Sequence, residues 1–140
     1  MNSTIKKKIK NWSLNLSVLN GVERLEYIIE LGRKLPVIDK SFKIDSFKIH
    51  GCASNLWLVP KLEKTNLILL ADAEAFITKG TAYIVLDCLS GEKIKDLISI
   101  ERKHFATLGI TELMSIQRQN GLGLLIAKIQ FYAKTFQSVL

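Results

Sequence analysis

One apolar segment, residues 73–89, constrains the fold of this chain more than any other feature. Its hydrophobic residues run almost all the way round a predicted helix from Ala73 to Leu89, and a serine and a glycine then end that helix. A helix that is apolar on every side is stable only where other elements cover it. Lys79 and Asp87 interrupt the segment, which is also shorter than the roughly 20 residues of a bilayer span, so we expect it to be buried in a soluble protein.

Apolar residues recur at helical spacing in several other segments, which predicts further helices around the central one. One of these segments follows an Asn20-Gly21 start and precedes Pro36, which cannot continue a helix. Ser115 is a suitable N-cap for the last long helix, which reaches Phe136. Besides that last helix, the predicted segments are Thr4 to Asn11, Glu23 to Lys34, Ile94 to Ile98, and His104 to Leu108.

Three short segments have the pattern of strands. Between Phe42 and His50 apolar and polar residues alternate, although Asp45 and Ser46 break the phase. Leu56 to Leu62 and Leu67 to Leu70 are separated only by polar turn residues, and such short connections favour antiparallel pairing. We therefore predict an α+β fold with a small three-stranded antiparallel sheet packed against several helices. No Pro-, Gly- or Ser-rich linker divides the sequence, which predicts a single domain over residues 1–140.

The basic character of the chain does not by itself indicate a partner. Its formal net charge is +7, but the charges are dispersed, and only Lys6, Lys7, Lys8 and Lys10 form a cluster. Aromatic residues do not interleave with that cluster, as they would on a stacking platform for single strands. We expect no nucleic-acid partner. An acidic protein surface is the better match for the surplus charge.

The two cysteines differ sharply in their sequence surroundings. Cys52 follows Gly51 in the gap between two predicted strands, where small neighbours leave a thiol accessible. Cys88 lies within the apolar central helix, where a cysteine is usually an inert core residue. Two widely separated cysteines do not make a disulfide scaffold, so we expect both thiols to be free in a reducing, cytoplasmic compartment. Chemistry is therefore expected at Cys52 and not at Cys88.

Two other uses of Cys52 come from its combination with His50 and His104. The cysteines and histidines have the count of a zinc site but not the close paired spacing of ligands, so we predict no metal. A Cys-His hydrolase stays open, because either histidine can approach Cys52 in a fold without being its neighbour in sequence. The chain has no CxxC motif and no phosphate-binding glycine loop.

Four motifs occur in order along the chain: "IIELGRKLP" from Ile28, "GCASNLWL" from Gly51, "ADAEAFITKG" from Ala71, and "SIQRQNGL" from Ser115. They resemble motifs of the SufE-type sulfur acceptors that partner cysteine desulfurases in iron–sulfur cluster assembly, and "GCASNLWL" resembles the family's Gly-Cys-x-Ser-x-x-Trp-Leu signature. Together they extend over most of the chain. The resemblance implies a SufE/IscU-like fold.

The chain departs from the family pattern at a few positions. Ala53 and Asn55 stand where glutamine is common, Lys79 where arginine is common, and Ile116 where proline is common. The two loop substitutions leave the cysteine in place but change residues beside it that a partner would contact. We expect Trp57, in the same signature, to be a packed strand residue and not a recognition residue.

The resemblance implies that Cys52 is the persulfide acceptor, with Gly51, Ser54, Asp72 and Arg118 supporting the loop or the partner contact. It implies a SufS-type cysteine desulfurase as donor and activated partner, and a SufBCD-type scaffold as recipient. Pyridoxal phosphate would reside on the desulfurase, so no cofactor is expected here. A CsdA-type desulfurase, a basic interaction module and the hydrolase are the alternatives; the oligomeric state, monomer or homodimer, stays open.

Overall fold

The computed structural model describes residues 2–52, 54–110 and 116–140, with side chains in the last range described from residue 121 onward. Five α-helices and two strands lie within these ranges, joined in part by three short 3₁₀ segments. The helices are α1 Ser3–Ser17, α2 Gly21–Gly32, α3 Phe76–Leu89, α4 Ile94–Leu97 and α5 Ile116–Gln137; the strands are β1 Leu56–Glu63 and β2 Asn66–Ala73; the 3₁₀ segments are Lys40–Phe42, Asp45–Phe47 and Arg102–Leu108.

Helix α3 is the centre of the core, as its apolar sequence predicts. Ile84 and Val85 are fully buried, and the helix packs against α1, α2, α5 and β2. Its closest neighbour is α2, because Gly80 has no side chain: a Cβ there would overlap the backbone carbonyl of Ile28. Asn20 and Glu23 form a capping box that starts α2.

The sheet is a single antiparallel hairpin of β1 and β2, in which Leu56 pairs with Ala73 and Glu63 with Asn66. Alternate residues of β2 are buried, which places one face of the hairpin on the helical core. The turn includes Lys64 in a left-handed conformation, with φ of 58°. The α+β class and both strands are confirmed, and β2 is longer than predicted.

The prediction of a third strand between Phe42 and His50 is wrong. The segment instead forms two 3₁₀ turns, and only Lys48 makes an isolated bridge, to Trp57 of β1. Asp39 accepts a hydrogen bond from the backbone N–H of Ser41 and so favours the first turn. The second 3₁₀ turn lies at the break in alternation that the sequence shows. The sheet has two strands in the part of the chain that the structure describes.

Several predicted boundaries also shift. Helix α3 begins at Phe76 and not at Ala73, because the preceding residues continue β2 and pair with β1. Asp72 is consequently a strand residue. Helix α1 is longer than predicted, and α2 starts and ends about two residues earlier than predicted. Ser115, the predicted cap of α5, lies outside the described residues.

The helices of the described ranges do not have the properties of a membrane span. None of them combines the length and the hydropathy that a bilayer crossing requires.

Candidate functional site

Cys52 lies on the loop that joins the second 3₁₀ turn to β1. A turn at His50 and Gly51 leads into it, and Gly51 has φ of +92°, a conformation that favours glycine. The thiol is free and half-buried. The loop thus holds a sulfur atom at the surface while turning its side chain toward the protein.

Helix α5 packs against this loop. A Cβ built on Gly51 would lie 3.2 Å from Leu124 Cδ1, and one built on Gly121 would lie 3.5 Å from Cys52 Sγ. Both Cys52 and Leu124 pack against the hydrophobic core. Because residues 121 and 124 are one helical turn apart, a single face of α5 contacts the loop.

Burial governs the reactivity of the Cys52 thiol. It raises the pKa of that thiol above its ordinary value, because the partly apolar site disfavours the thiolate. Among the described residues no charged group counters the effect of burial on this pKa. The thiolate is the nucleophile in sulfur exchange. Burial therefore lowers the thiolate fraction of Cys52 at neutral pH.

The end of the loop is fixed by Asn55. Its side-chain amide donates to Glu74 Oε1 at 2.6 Å, and the backbone N–H of Glu74 donates to the Asn55 carbonyl at 3.0 Å. This pair joins the residue before β1 to the residue after β2, so it closes the open end of the hairpin. Only Gly51 to Ser54 lie between this closure and the turn at His50, so the loop that carries the cysteine is short.

Asp72 holds the segment before the loop. Its carboxylate lies 2.6 Å from Lys43 Nζ and 3.7 Å from Lys79 Nζ, and the Lys43 ammonium also lies 5.6 Å from the centre of the Trp57 ring. Burial opposes ionisation of Asp72, but the Lys43 contact, the Ala73 N–H and the charge of Lys79 outweigh it and lower the pKa of the carboxyl. Trp57 is in a strand, as predicted, but it faces Lys43.

Cys88 lies in the core, and the two histidines contact residues other than Cys52. Cys88 is completely buried in α3, where burial and then the charge of Asp87 raise its pKa to about 12. His50 Nε2 lies 3.4 Å from Asp45, and His104 Nδ1 accepts the backbone N–H of Glu101. Over the described ranges no three Cys, His, Asp or Glu side chains gather as a metal site.

The structure brings some of the predicted site residues together and leaves others undescribed. Gly51, Cys52 and the half-buried Ser54 share the loop, whereas Asp72 acts on the segment that precedes it. Arg118 is in the first turn of α5, but its side chain, like Ala53, is outside what the structure describes.

Sequence reasoning missed four contributors to the site, namely Lys43, Glu74, Gly121 and Leu124. Glu74 and Gly121 stand within the quoted motifs, so the motifs contained their signal. Lys43 and Leu124 carried no sequence signal that connected them to Cys52.

An open groove borders the loop and continues along α5. It has a volume of about 340 Å³, and its lining includes Lys48, His50, Leu124, Lys128 and the exposed ring of Phe131. Lys128 lies 5.4 Å from the centre of that ring. Apolar and cationic groups therefore lie side by side next to the cysteine loop.

The fold and the site define a class of small α+β proteins in which a loop leading into a β-hairpin carries a free cysteine and packs against a long helix. A family model described as "SufE: Fe-S metabolism associated domain" matches residues 13–133. The chain belongs to the SufE family.

Relatives extend over most of the chain. An uncharacterized SufE-like protein of Rhizobium etli is 32% identical over 117 residues, which cover 80% of this chain and 79% of that protein. The cysteine desulfuration protein SufE of Plasmodium falciparum is 27% identical, over 76% of this chain and 45% of that protein. SufE-like protein 1 of Arabidopsis thaliana, described as chloroplastic/mitochondrial, is 30% identical over 76% of this chain and 29% of its own length.

A solved structure shares the fold. The solution structure of a hypothetical protein from Thermus thermophilus superposes with a TM-score of 0.78, covering 94% of this chain and 96% of that one, at 17% identity. At that identity the match shows the fold alone.

Proposed function

We propose that this protein accepts sulfane sulfur on Cys52 from a cysteine desulfurase and passes it on for iron–sulfur cluster assembly. The observation that carries the proposal is the free, half-buried Cys52 on its loop, in a chain of the SufE family. Gly51 allows the loop to turn, Ser54 lies within the loop, and Asp72 holds the segment that precedes it. We include Arg118 as a partner-contacting or loop-supporting residue because of its motif.

The proposed chemistry is thiol exchange. The Cys52 thiolate attacks the terminal sulfur of a donor persulfide, a new S–S bond forms at Cys52 Sγ, and the donor cysteine leaves as its thiolate. The proton of the Cys52 thiol goes to solvent or to the donor site. The step is balanced without a cofactor on this chain, and pyridoxal phosphate on the desulfurase supplies the earlier carbon–sulfur cleavage.

The environment of Cys52 suits a carrier more than an independent catalyst. A raised thiol pKa suppresses reaction with other electrophiles, and sulfur uptake then depends on a partner that draws the loop out or stabilises the thiolate. The groove beside the loop supports a partner's approach, since Lys48 and Lys128 favour an acidic surface. Removal of sulfur by Cys52 would in turn accelerate the desulfurase.

The partners follow from the family resemblance. We propose a SufS-type desulfurase as donor and a SufBCD-type scaffold as recipient, with a CsdA-type desulfurase as the alternative donor. We further propose that residues 1–140 act as one domain in a reducing, cytoplasmic-type compartment, because a persulfide carrier needs its thiol reduced between cycles.

The other classes make different demands on the site. A Cys-His hydrolase needs a histidine in hydrogen-bond reach of the cysteine, and no such bond joins Cys52 to His50 or His104 in the described contacts. A basic interaction module requires only charge, so it predicts that Cys52→Ser is harmless.

The test is intact-protein mass spectrometry after incubation with a cysteine desulfurase and cysteine. We expect the wild type and Cys88→Ala to gain about 32 Da, removable by reductant, and Cys52→Ser to gain nothing. An adduct that survives in Cys52→Ser, or no adduct with several desulfurases, would contradict the proposal. The second result would favour the interaction module.

A further inference from the structure

Gly121 is an unusual choice for its position in α5. The residue is buried and lies inside a helix of 22 residues, where glycine is about 1 kcal/mol less favourable than alanine. Its backbone does not have the positive φ that favours glycine at Gly51 and Gly109. Backbone conformation therefore does not account for it.

Packing against the described residues does not require this glycine either. At Gly80 and Gly32 a Cβ would meet backbone atoms of the neighbouring helix at distances that real Cβ atoms do not tolerate, so those two positions admit no side chain. At Gly121 the described neighbour of a Cβ is Cys52 Sγ at 3.5 Å, which is an ordinary van der Waals contact. Alanine would fit beside the free thiol.

The loaded cysteine has a different requirement. A persulfide adds a second sulfur about 2.05 Å beyond Sγ, and that atom needs its own contact distance from every neighbour. A methyl group at residue 121 would already touch Sγ, so it would take the space on the α5 side of Cys52 that the second sulfur would enter. Glycine leaves that space open.

We propose that Gly121 is a positioning residue for the persulfide, keeping open the space between Cys52 and α5 in which the terminal sulfur sits. This inference rests on the proposed function. In that space the sulfur faces α5 beside the half-buried Leu124 instead of solvent. The position against α5 limits the access of solvent thiols and so slows reduction of the persulfide, and the partly apolar surroundings disfavour its anion and so slow its attack on other electrophiles.

The test compares Gly121→Ala with Gly123→Ala. Residue 123 is in the same helix, but its Cβ would meet Arg102, so it is a matched control. Each purified protein is loaded with inorganic polysulfide, and the mass adduct of about 32 Da is followed during exposure to dithiothreitol. Thermal unfolding and the alkylation rate of the unloaded Cys52 thiol are measured in parallel.

We expect Gly121→Ala to unfold at the wild-type temperature or above, and its free thiol to react at the wild-type rate. Its persulfide occupancy should fall about fivefold or more, with faster loss to dithiothreitol, while Gly123→Ala behaves as wild type. Wild-type occupancy and lifetime in Gly121→Ala would overturn the inference. Loss of folding in unloaded Gly121→Ala would also overturn it, because the glycine would then be required by the fold of the free protein. If the wild type gained no sulfur from polysulfide and none from a desulfurase, that result would instead refute the proposed function itself.

Discussion

Helix α3 and the region where the Cys52 loop meets α5 each place a cysteine and a helical glycine in the structure, but the two regions use them differently. In α3, Cys88 is fully buried and Gly80 is compressed against the backbone of α2. At the loop, Cys52 is half-buried, and among the described residues a methyl group at Gly121 would make only an ordinary contact, with Cys52 Sγ. Residue type therefore does not decide chemistry in this protein; the tightness of packing around each residue does.

The largest expected difference is in thiol reactivity. With iodoacetamide at neutral pH, Cys52 should be alkylated more than about a thousandfold faster than Cys88, because Cys88 is reached only through unfolding. The Cys52 rate should rise about tenfold per pH unit, and continue to rise past the pKa of an ordinary thiol, since its own pKa is raised. Peptide mass spectrometry of timed samples measures both rates, and comparable rates at the two sites would erase the contrast.

Substitution of Gly80 and Gly121 should give the next largest difference, in the free energy of unfolding. Gly80→Ala should destabilise the protein by about 3 kcal/mol, because the new methyl group forces α2 and α3 apart. Gly121→Ala should cause no loss, since its methyl group makes an ordinary contact. Urea unfolding of both variants gives the two free energies. Equal losses of free energy would show that Gly80 and Gly121 are packed equally tightly.

Serine in place of each cysteine gives a smaller difference of the same kind. Cys88→Ser places a hydroxyl in the core and should lower the free energy of unfolding by about 2 kcal/mol. Cys52→Ser should lower it by less than about 0.5 kcal/mol, because the loop site is partly open to water. Denaturant midpoints of the two variants check this, with Cys88→Ala separating the effect of the hydroxyl from that of lost volume.

The smallest expected effect concerns the ion pair that holds the segment before the loop. Asp72→Asn should destabilise the protein by about 1 kcal/mol above pH ~5, since its partly exposed contacts with Lys43 and Lys79 are weakened by solvent. The folded pKa of Asp72 is lowered, so this stability is present above the unfolded pKa and is lost as the pH falls through the folded value. Unfolding curves of wild type and variant should therefore converge in acid. A constant gap at all pH values would mean that the charge of Asp72 is not what stabilises the segment.

Local sequence patterns were enough to predict the class of fold and the main elements. An all-round apolar helix requires burial, and turn residues between two short apolar runs require a hairpin, so α3, β1 and β2 follow from local pattern. Four ordered motifs also indicated the family, because together they match its pattern over most of the chain.

The way in which the loop is held depends instead on tertiary contacts. The segment before Cys52 has strand-like alternation, yet within the described residues it pairs with β1 only at the bridge to Trp57 and is otherwise held by Lys43 on Asp72. Likewise, the approach of Gly121 to Cys52 joins residues about seventy positions apart, which no local pattern can encode. Local patterns record whether a residue is buried or exposed; which residue covers it depends on how the helices and the hairpin pack together.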